Sequence, residues 1–125
     1  MTKILIAEDE KDIRELVAFS LKGLGGFDVV QANNGVEAIE RAVAERPDLI
    51  LMDVRMPKMT GYDACKKLKE IDATKNIPVI FLSAKGQESE IQHGLSVGAE
   101  QYILKPFAPD ELVSTVRSAL KRLRK

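Results

Sequence analysis

The chain has 125 residues and a mass of 13.8 kDa, enough for one domain with a sizeable core. Hydrophobic residues make up 45% and charged residues 30%, and 19 basic side chains balance 19 acidic ones to a formal charge of +0. That balance excludes a disordered chain, and a nucleic-acid binder acting through a global positive field. The single cysteine, Cys65, excludes an internal disulfide and fits a reducing compartment.

The opening Met1-Thr2-Lys3-Ile4-Leu5-Ile6 is too short, and too soon acidic, for a signal peptide, and no long apolar run follows. A cytoplasmic chain without membrane contact is expected. Lys3 to Ala7 reads as the first strand and stops at Glu8-Asp9-Glu10. Ile13, Leu16, Val17 and Leu21 then recur at helical spacing up to Gly23 and Gly25-Gly26. Phe27 to Ala32 is the second strand. Asn33-Asn34-Gly35 supplies turn and cap residues for a second helix, with Val36, Ile39, Ala42 and Val43 expected inward.

Leu49 to Met52 is the third strand, ending on Asp53, and after the Pro57–Gly61 loop Ala64, Cys65, Leu68 and Ile71 mark the third helix. Ile77 to Leu82 is the fourth strand, with Pro78 near its start, and it ends on Ser83. The spacing predicts a weakly patterned fourth helix from Gln87 to Leu95, interrupted by Gly94 and therefore loosely held. Gln101 to Leu104 is the fifth strand, ending on Lys105-Pro106. Pro109-Asp110-Glu111 opens the last helix, whose buried stripe is Leu112, Val113, Val116 and Leu120.

Apolar strands alternating with helices call for a parallel sheet covered on both faces. The expected fold is a single flavodoxin-like, doubly wound (βα)5 α/β domain over residues 1–125, with strand order 2-1-3-4-5. Ligands in such sheets sit outside the carboxyl ends of the strands. The residues directly after the apolar runs are Glu8 and Asp9, Asp53, Ser83 and Lys105. In that strand order they share one small cleft. Two carboxylates about 4 Å apart repel by roughly 4 kcal/mol at an effective dielectric of 20, so three together call for a cation. An oxygen-rich site open to water suits Mg²⁺. With an ammonium and a hydroxyl added, the set matches what a phosphoryl group in transfer requires, and Asp53 is a competent acceptor.

Four motifs carry a resemblance over essentially the whole chain. They are Ile6-Ala7-Glu8-Asp9-Glu10, Leu51-Met52-Asp53-Val54-Arg55-Met56-Pro57 with Gly61, Leu82-Ser83-Ala84, and Gly98-Ala99-Glu100-Gln101-Tyr102-Ile103-Leu104-Lys105-Pro106-Phe107. In that order they resemble the receiver domain of two-component response regulators. The resemblance implies that Asp53 takes a phosphoryl group from a histidine kinase or phosphotransfer protein, assisting its own phosphorylation and dephosphorylation without being an enzyme in the usual sense. It implies Mg²⁺ on Asp9, Asp53, the Arg55 backbone carbonyl and Glu8, directly or through water. Lys105 pairs with Asp53 and then with phosphoryl oxygens, Ser83 bonds the phosphoryl group, and Tyr102 moves inward with it. Lys105-Pro106 is a candidate cis peptide. Output is expected at the surface of the fourth helix, fifth strand and last helix, through a homodimer, a downstream protein target or a fused effector domain.

Single residues also have plainer readings. Glu8-Asp9-Glu10 alone could cap a helix, Cys65 reads as a small core residue, and His93 reads as surface rather than metal ligand. The basic run from Arg117 to Lys125 reads as a solvated helix end rather than a nucleic-acid contact. Arg55 and Lys85, each two positions past a site residue, are expected to tune the lifetime of the phosphorylated state. Three rival functions share parts of this pattern. A flavodoxin-like electron carrier would have its phosphate repelled by Glu8-Asp9-Glu10, and a metal-dependent phosphatase lacks an acid beside Asp53 in Val54-Arg55. A phosphate-independent interaction module of the same fold would not need the acidic, hydroxyl and lysine set.

Overall fold

The computed structural model describes residues 2–83, 92–93, 95–105 and 107–123. Its strands are β1 (Lys3–Ala7), β2 (Asp28–Ala32), β3 (Leu49–Asp53), β4 (Val79–Ser83) and β5 (Gln101–Leu104). The helices among the described residues are α1 (Lys11–Gly23), α2 (Gly35–Glu45), α3 (Gly61–Glu70) and α4 (Pro109–Leu123). All strand pairs are parallel, in the order β2-β1-β3-β4-β5. Most of the expected fourth helix, including Gly94, lies outside the described residues; 92–93 and 95–96 are helical.

Strand parity divides the core. Leu5, Ala7, Ile50, Met52, Val79 and Phe81 face α2 and α3, where they meet Ala38, Ala42, Ala64, Cys65 and Leu68. Ile4, Ile6, Leu49, Leu51, Ile80 and Leu82 face α1 and α4, against Val17, Leu21, Leu112, Val116 and Leu120. Burial on both faces explains why β3 and β4 are apolar without alternation. Each such Leu or Ile contributes roughly 1.5–3 kcal/mol by leaving water.

Three stripe residues differ from expectation. Leu16 is 47% exposed, because α1 presents Val17, Ala18 and Leu21 to the sheet and Leu16 falls a quarter-turn away. Val36 and Val43 are exposed because α2 instead turns Gly35, Ala38 and Ala42 inward. Those small residues bring the helix close, and a Cβ on Gly35 would strike the Met59 backbone. β4 starts at Val79 rather than Ile77, since Pro78 has no N–H to give; its carbonyl still accepts from the Ile50 N–H at 2.9 Å.

Local chemistry sets the helix starts that matter for the site. The Asn34 side chain accepts from the Glu37 N–H at 2.8 Å, and Thr60 Oγ1 accepts from the Asp63 N–H at 3.2 Å. At α1 the Ncap residue Glu10 makes no side-chain cap bond. The acidic turn therefore does not act as a helix cap.

Candidate functional site

The register levels the carboxyl ends of the central strands. Ala7 pairs with Met52, Asp53 with Leu82 and Ser83 with Leu104. The ladder runs one residue further at both sides of the sheet, where the Glu8 N–H donates to Ala32 O at 3.0 Å and the Lys105 N–H donates to Ser83 O at 2.8 Å. Glu8, Asp53, Ser83 and Lys105 are thus delivered to one edge by backbone pairing alone.

Carboxylate oxygens of Glu8, Asp9 and Asp53 lie within 4.8 Å of one another. Glu8 and Asp53 are buried, whereas Asp9 is exposed and opens the group to solvent. Lys105 Nζ donates to Glu8 Oε1 at 2.7 Å and to Asp53 Oδ1 at 3.0 Å. The second Glu8 oxygen accepts weakly from the Glu10 N–H at 3.3 Å. Burial pushes the Glu8 carboxyl up to about 7, against the hydrogen bond from Lys105, which draws it down, and with the Asp53 charge, which adds to the rise. For Lys105 burial works to lower the ammonium, but its bonds to Glu8 and Asp53 together outweigh this and hold it above the ordinary lysine value.

The donor set fits a hard divalent cation. All three side chains offer oxygen, and one ammonium does not balance three carboxylates packed this closely. Asp9 gives this group a solvent-facing side. The chain around Asp53 is also tightly constrained. Gly61 N–H donates to Val54 O at 2.8 Å, and a Cβ on Gly61 would run into the Asp53 carbonyl oxygen. Only glycine lets α3 begin so close to the end of β3.

Ser83 is buried at the end of β4, and Arg55 is exposed two residues past Asp53. Lys85 and Pro106, and with Pro106 the conformation of the Lys105-Pro106 bond, lie outside the described residues. Tyr102 pairs in register with Phe81, their rings 5.5 Å apart, and its hydroxyl hydrogen-bonds the Tyr62 hydroxyl. Tyr62 also stands edge-on to Phe81 at 5.1 Å and to the exposed His93 at 4.4 Å. Cys65 is fully buried, as expected, with Sγ 3.5 Å from Val97 O.

Sequence reasoning missed two residues here. Tyr62 packs against the core cluster that holds Ala64, Cys65 and Leu68, but nothing in the sequence pairs it with Tyr102, and only the packing of α3 against β5 shows that the two meet. No motif or spacing in the sequence singles out Arg14, yet its Nη1 donates to Glu8 O at 2.8 Å.

Fold and site together define a doubly wound α/β protein with an acidic, lysine-bridged cleft at its strand ends. The model of the response regulator receiver domain matches residues 4–117. The phosphate regulon transcriptional regulatory protein PhoB of Pseudomonas aeruginosa is 42% identical over 119 residues, spanning 95% of this chain and 52% of that protein. The alkaline phosphatase synthesis transcriptional regulatory protein PhoP of Bacillus subtilis is 39% identical over 120 residues, 96% of this chain and 49% of that protein. The chain spans about half the length of the curated relatives it matches. Among solved structures, Vibrio cholerae chemotaxis protein CheY4 superposes with a TM-score of 0.90 at 34% identity, over 94% of this chain and 98% of that one. The receiver domain of Francisella response regulator 1452 gives a TM-score of 0.90 at 32% identity, over 99% and 100%. The chain belongs to the response regulator receiver domain family, and its doubly wound order is the one expected. No helix among the described residues is long and apolar enough to cross a membrane.

Proposed function

We propose that Asp53 is the phosphoacceptor of a two-component system, with residues 1–125 forming one receiver domain in the cytoplasm. The observation that carries this reading is the Lys105 ammonium, 2.7 Å from Glu8 and 3.0 Å from Asp53, beside carboxylates within 4.8 Å of each other. An Asp53 carboxylate oxygen attacks the phosphorus of a phosphohistidine on a histidine kinase or phosphotransfer protein. The P–N bond breaks, its electron pair stays on the imidazole nitrogen, and an acyl phosphate forms. Lys105 meets charge on the phosphoryl oxygens, and Ser83 donates a hydrogen bond to one of them.

Glu8, Asp9, Asp53 and the Arg55 carbonyl hold Mg²⁺, which when bound offsets the negative charge of acceptor and phosphoryl group. Attack of water on the phosphorus later breaks the P–O bond to Asp53 and returns the carboxylate. The domain assists both steps without turning over a separate substrate. Arg55 and Lys85 set the rate of that hydrolysis, where each tenfold change corresponds to about 1.4 kcal/mol of barrier. A double substitution to alanine that leaves the decay rate unchanged removes them from this role.

As Ser83 bonds the phosphoryl group it shifts, Tyr102 moves inward with it, and the change reaches the surface of the expected fourth helix, β5 and α4. There it is read by a homodimer partner, a downstream protein or a fused effector domain, not by direct nucleic-acid binding. Incubation with Mg²⁺ and a small phosphodonor tests the central step. Intact mass shows one added phosphoryl group on the wild-type chain and none on Asp53→Asn. Full labelling of Asp53→Asn moves the acceptor elsewhere, and a wild-type chain that takes no label favours a phosphate-independent interaction module.

A further inference from the structure

Arg14 stands where a cation is electrostatically out of place. It is the fourth residue of α1, at the positive end of the helix dipole, where acidic side chains are favoured. It is half-buried, and its guanidinium is held at two points. Nη1 donates to Glu8 O at 2.8 Å, and Nε donates to Gln31 Oε1 at 3.2 Å. Strand parity supplies the second anchor. Val29 packs in the α1-facing core, so Gln31 lies on the same side of β2, toward α1.

Glu8 is accordingly fixed on each of its polar groups. Its N–H donates to Ala32 O, its carboxylate receives Lys105, and its carbonyl receives Arg14. Between Ala7, the last residue of β1, and Lys11, the first of α1, lie only Glu8, Asp9 and Glu10. Among the described residues, the Arg14 bond ties the peptide joining Glu8 to exposed Asp9 to the body of α1. Rotation of that peptide would carry the Asp9 carboxylate away from Asp53. A lysine at position 14 has no planar fork and does not reproduce both bonds.

We propose that Arg14, anchored by Gln31, is a positioning residue that holds the Glu8–Asp9 peptide so that both carboxylates face Asp53. The inference rests on the reading of Glu8, Asp9 and Asp53 as a Mg²⁺ site, and it assigns Arg14 no contact with the ion. Groups behind metal ligands change metal affinity by roughly 10–100-fold when removed, and Arg14 acts through backbone, so the low end is expected.

The test is Mg²⁺ titration of the whole chain by calorimetry, with no phosphodonor present, at a temperature well below melting. Arg14→Met weakens Mg²⁺ binding about tenfold. Gln31→Ala weakens it less, and the double variant is no weaker than Arg14→Met. Wild-type affinity in a folded Arg14→Met protein overturns the proposal, leaving Arg14 as a tether between α1 and β2 that affects stability only. If Arg14→Met does not fold, Arg14→Lys decides in the same way: weakened binding supports the proposal and unchanged binding overturns it. A wild-type chain that binds no Mg²⁺ overturns the metal-site reading itself, an outcome distinct from equal binding by wild type and variant.

Discussion

Lys105 holds Glu8 more closely than it holds Asp53, with Nζ at 2.7 Å from Glu8 Oε1 and 3.0 Å from Asp53 Oδ1. Glu8 is fully buried, so this ammonium is what allows its carboxylate to exist inside the fold. Lys105→Met is expected to lower stability by about 2 kcal/mol in Mg²⁺-free buffer. That is less than the roughly 3–5 kcal/mol for a stranded buried charge, because a carboxyl already raised to about 7 takes up a proton instead. A urea midpoint equal to that of wild type, at unchanged m, would show that the bridge does not stabilise the fold.

The Tyr62–Tyr102 hydroxyl bond joins the start of α3 to β5. Tyr62→Phe and Tyr102→Phe each cost about 1 kcal/mol. The double variant costs little more than either single one, because the first change already removes the bond. Strict additivity in that double-mutant cycle rules out the coupling.

Burial pushes the Cys65 thiol up to about 11, with a smaller opposing pull from Lys69. In the unfolded chain the thiol ionises near its ordinary value, so between about pH 9 and 11 the native state binds more protons. Stability therefore falls as pH rises through that window, by up to about 1.4 kcal/mol per pH unit from this group. Cys65→Ala removes this component of the slope. Equal pH slopes for wild type and Cys65→Ala would contradict the assignment.

Two glycines separate backbone strain from steric conflict. Gly26 adopts φ +70° with open space where a Cβ would stand, whereas a Cβ on Gly61 meets the Asp53 carbonyl. Gly26→Ala costs about 1 kcal/mol and leaves phosphorylation of Asp53 intact. Gly61→Ala costs about 1–3 kcal/mol and, if Asp53 is the acceptor proposed above, slows its phosphorylation, since α3 must shift against β3. Equal phosphorylation rates for the two variants, followed by intact mass, would remove Gly61 from the site's construction.

The linear sequence by itself determined the strands and the acidic, hydroxyl and lysine set. Each follows from one-dimensional signals: apolar runs of strand length, punctuation by glycine and proline, and polar residues directly after the runs. Asp53, Ser83 and Lys105 were legible because parallel strands of similar length end level, which turns a position after a run into a place in space. Rotation about the helix axes was not legible. Leu16, Val36 and Val43 fit an apolar stripe as well as their neighbours do, and the close approach allowed by Gly35, Ala38 and Ala42 chose otherwise.

Only the tertiary structure decided which partners the polar groups take. Lys105 divides itself between Glu8 and Asp53, Tyr62 reaches Tyr102 across 40 residues, and Arg14 closes on the Glu8 carbonyl while Gln31 holds it from β2. These contacts join elements through register and packing depth, which have no period in the sequence. A buried polar group must find a partner, but its own residue type does not say which one, because that depends on what the surrounding core brings within hydrogen-bond reach.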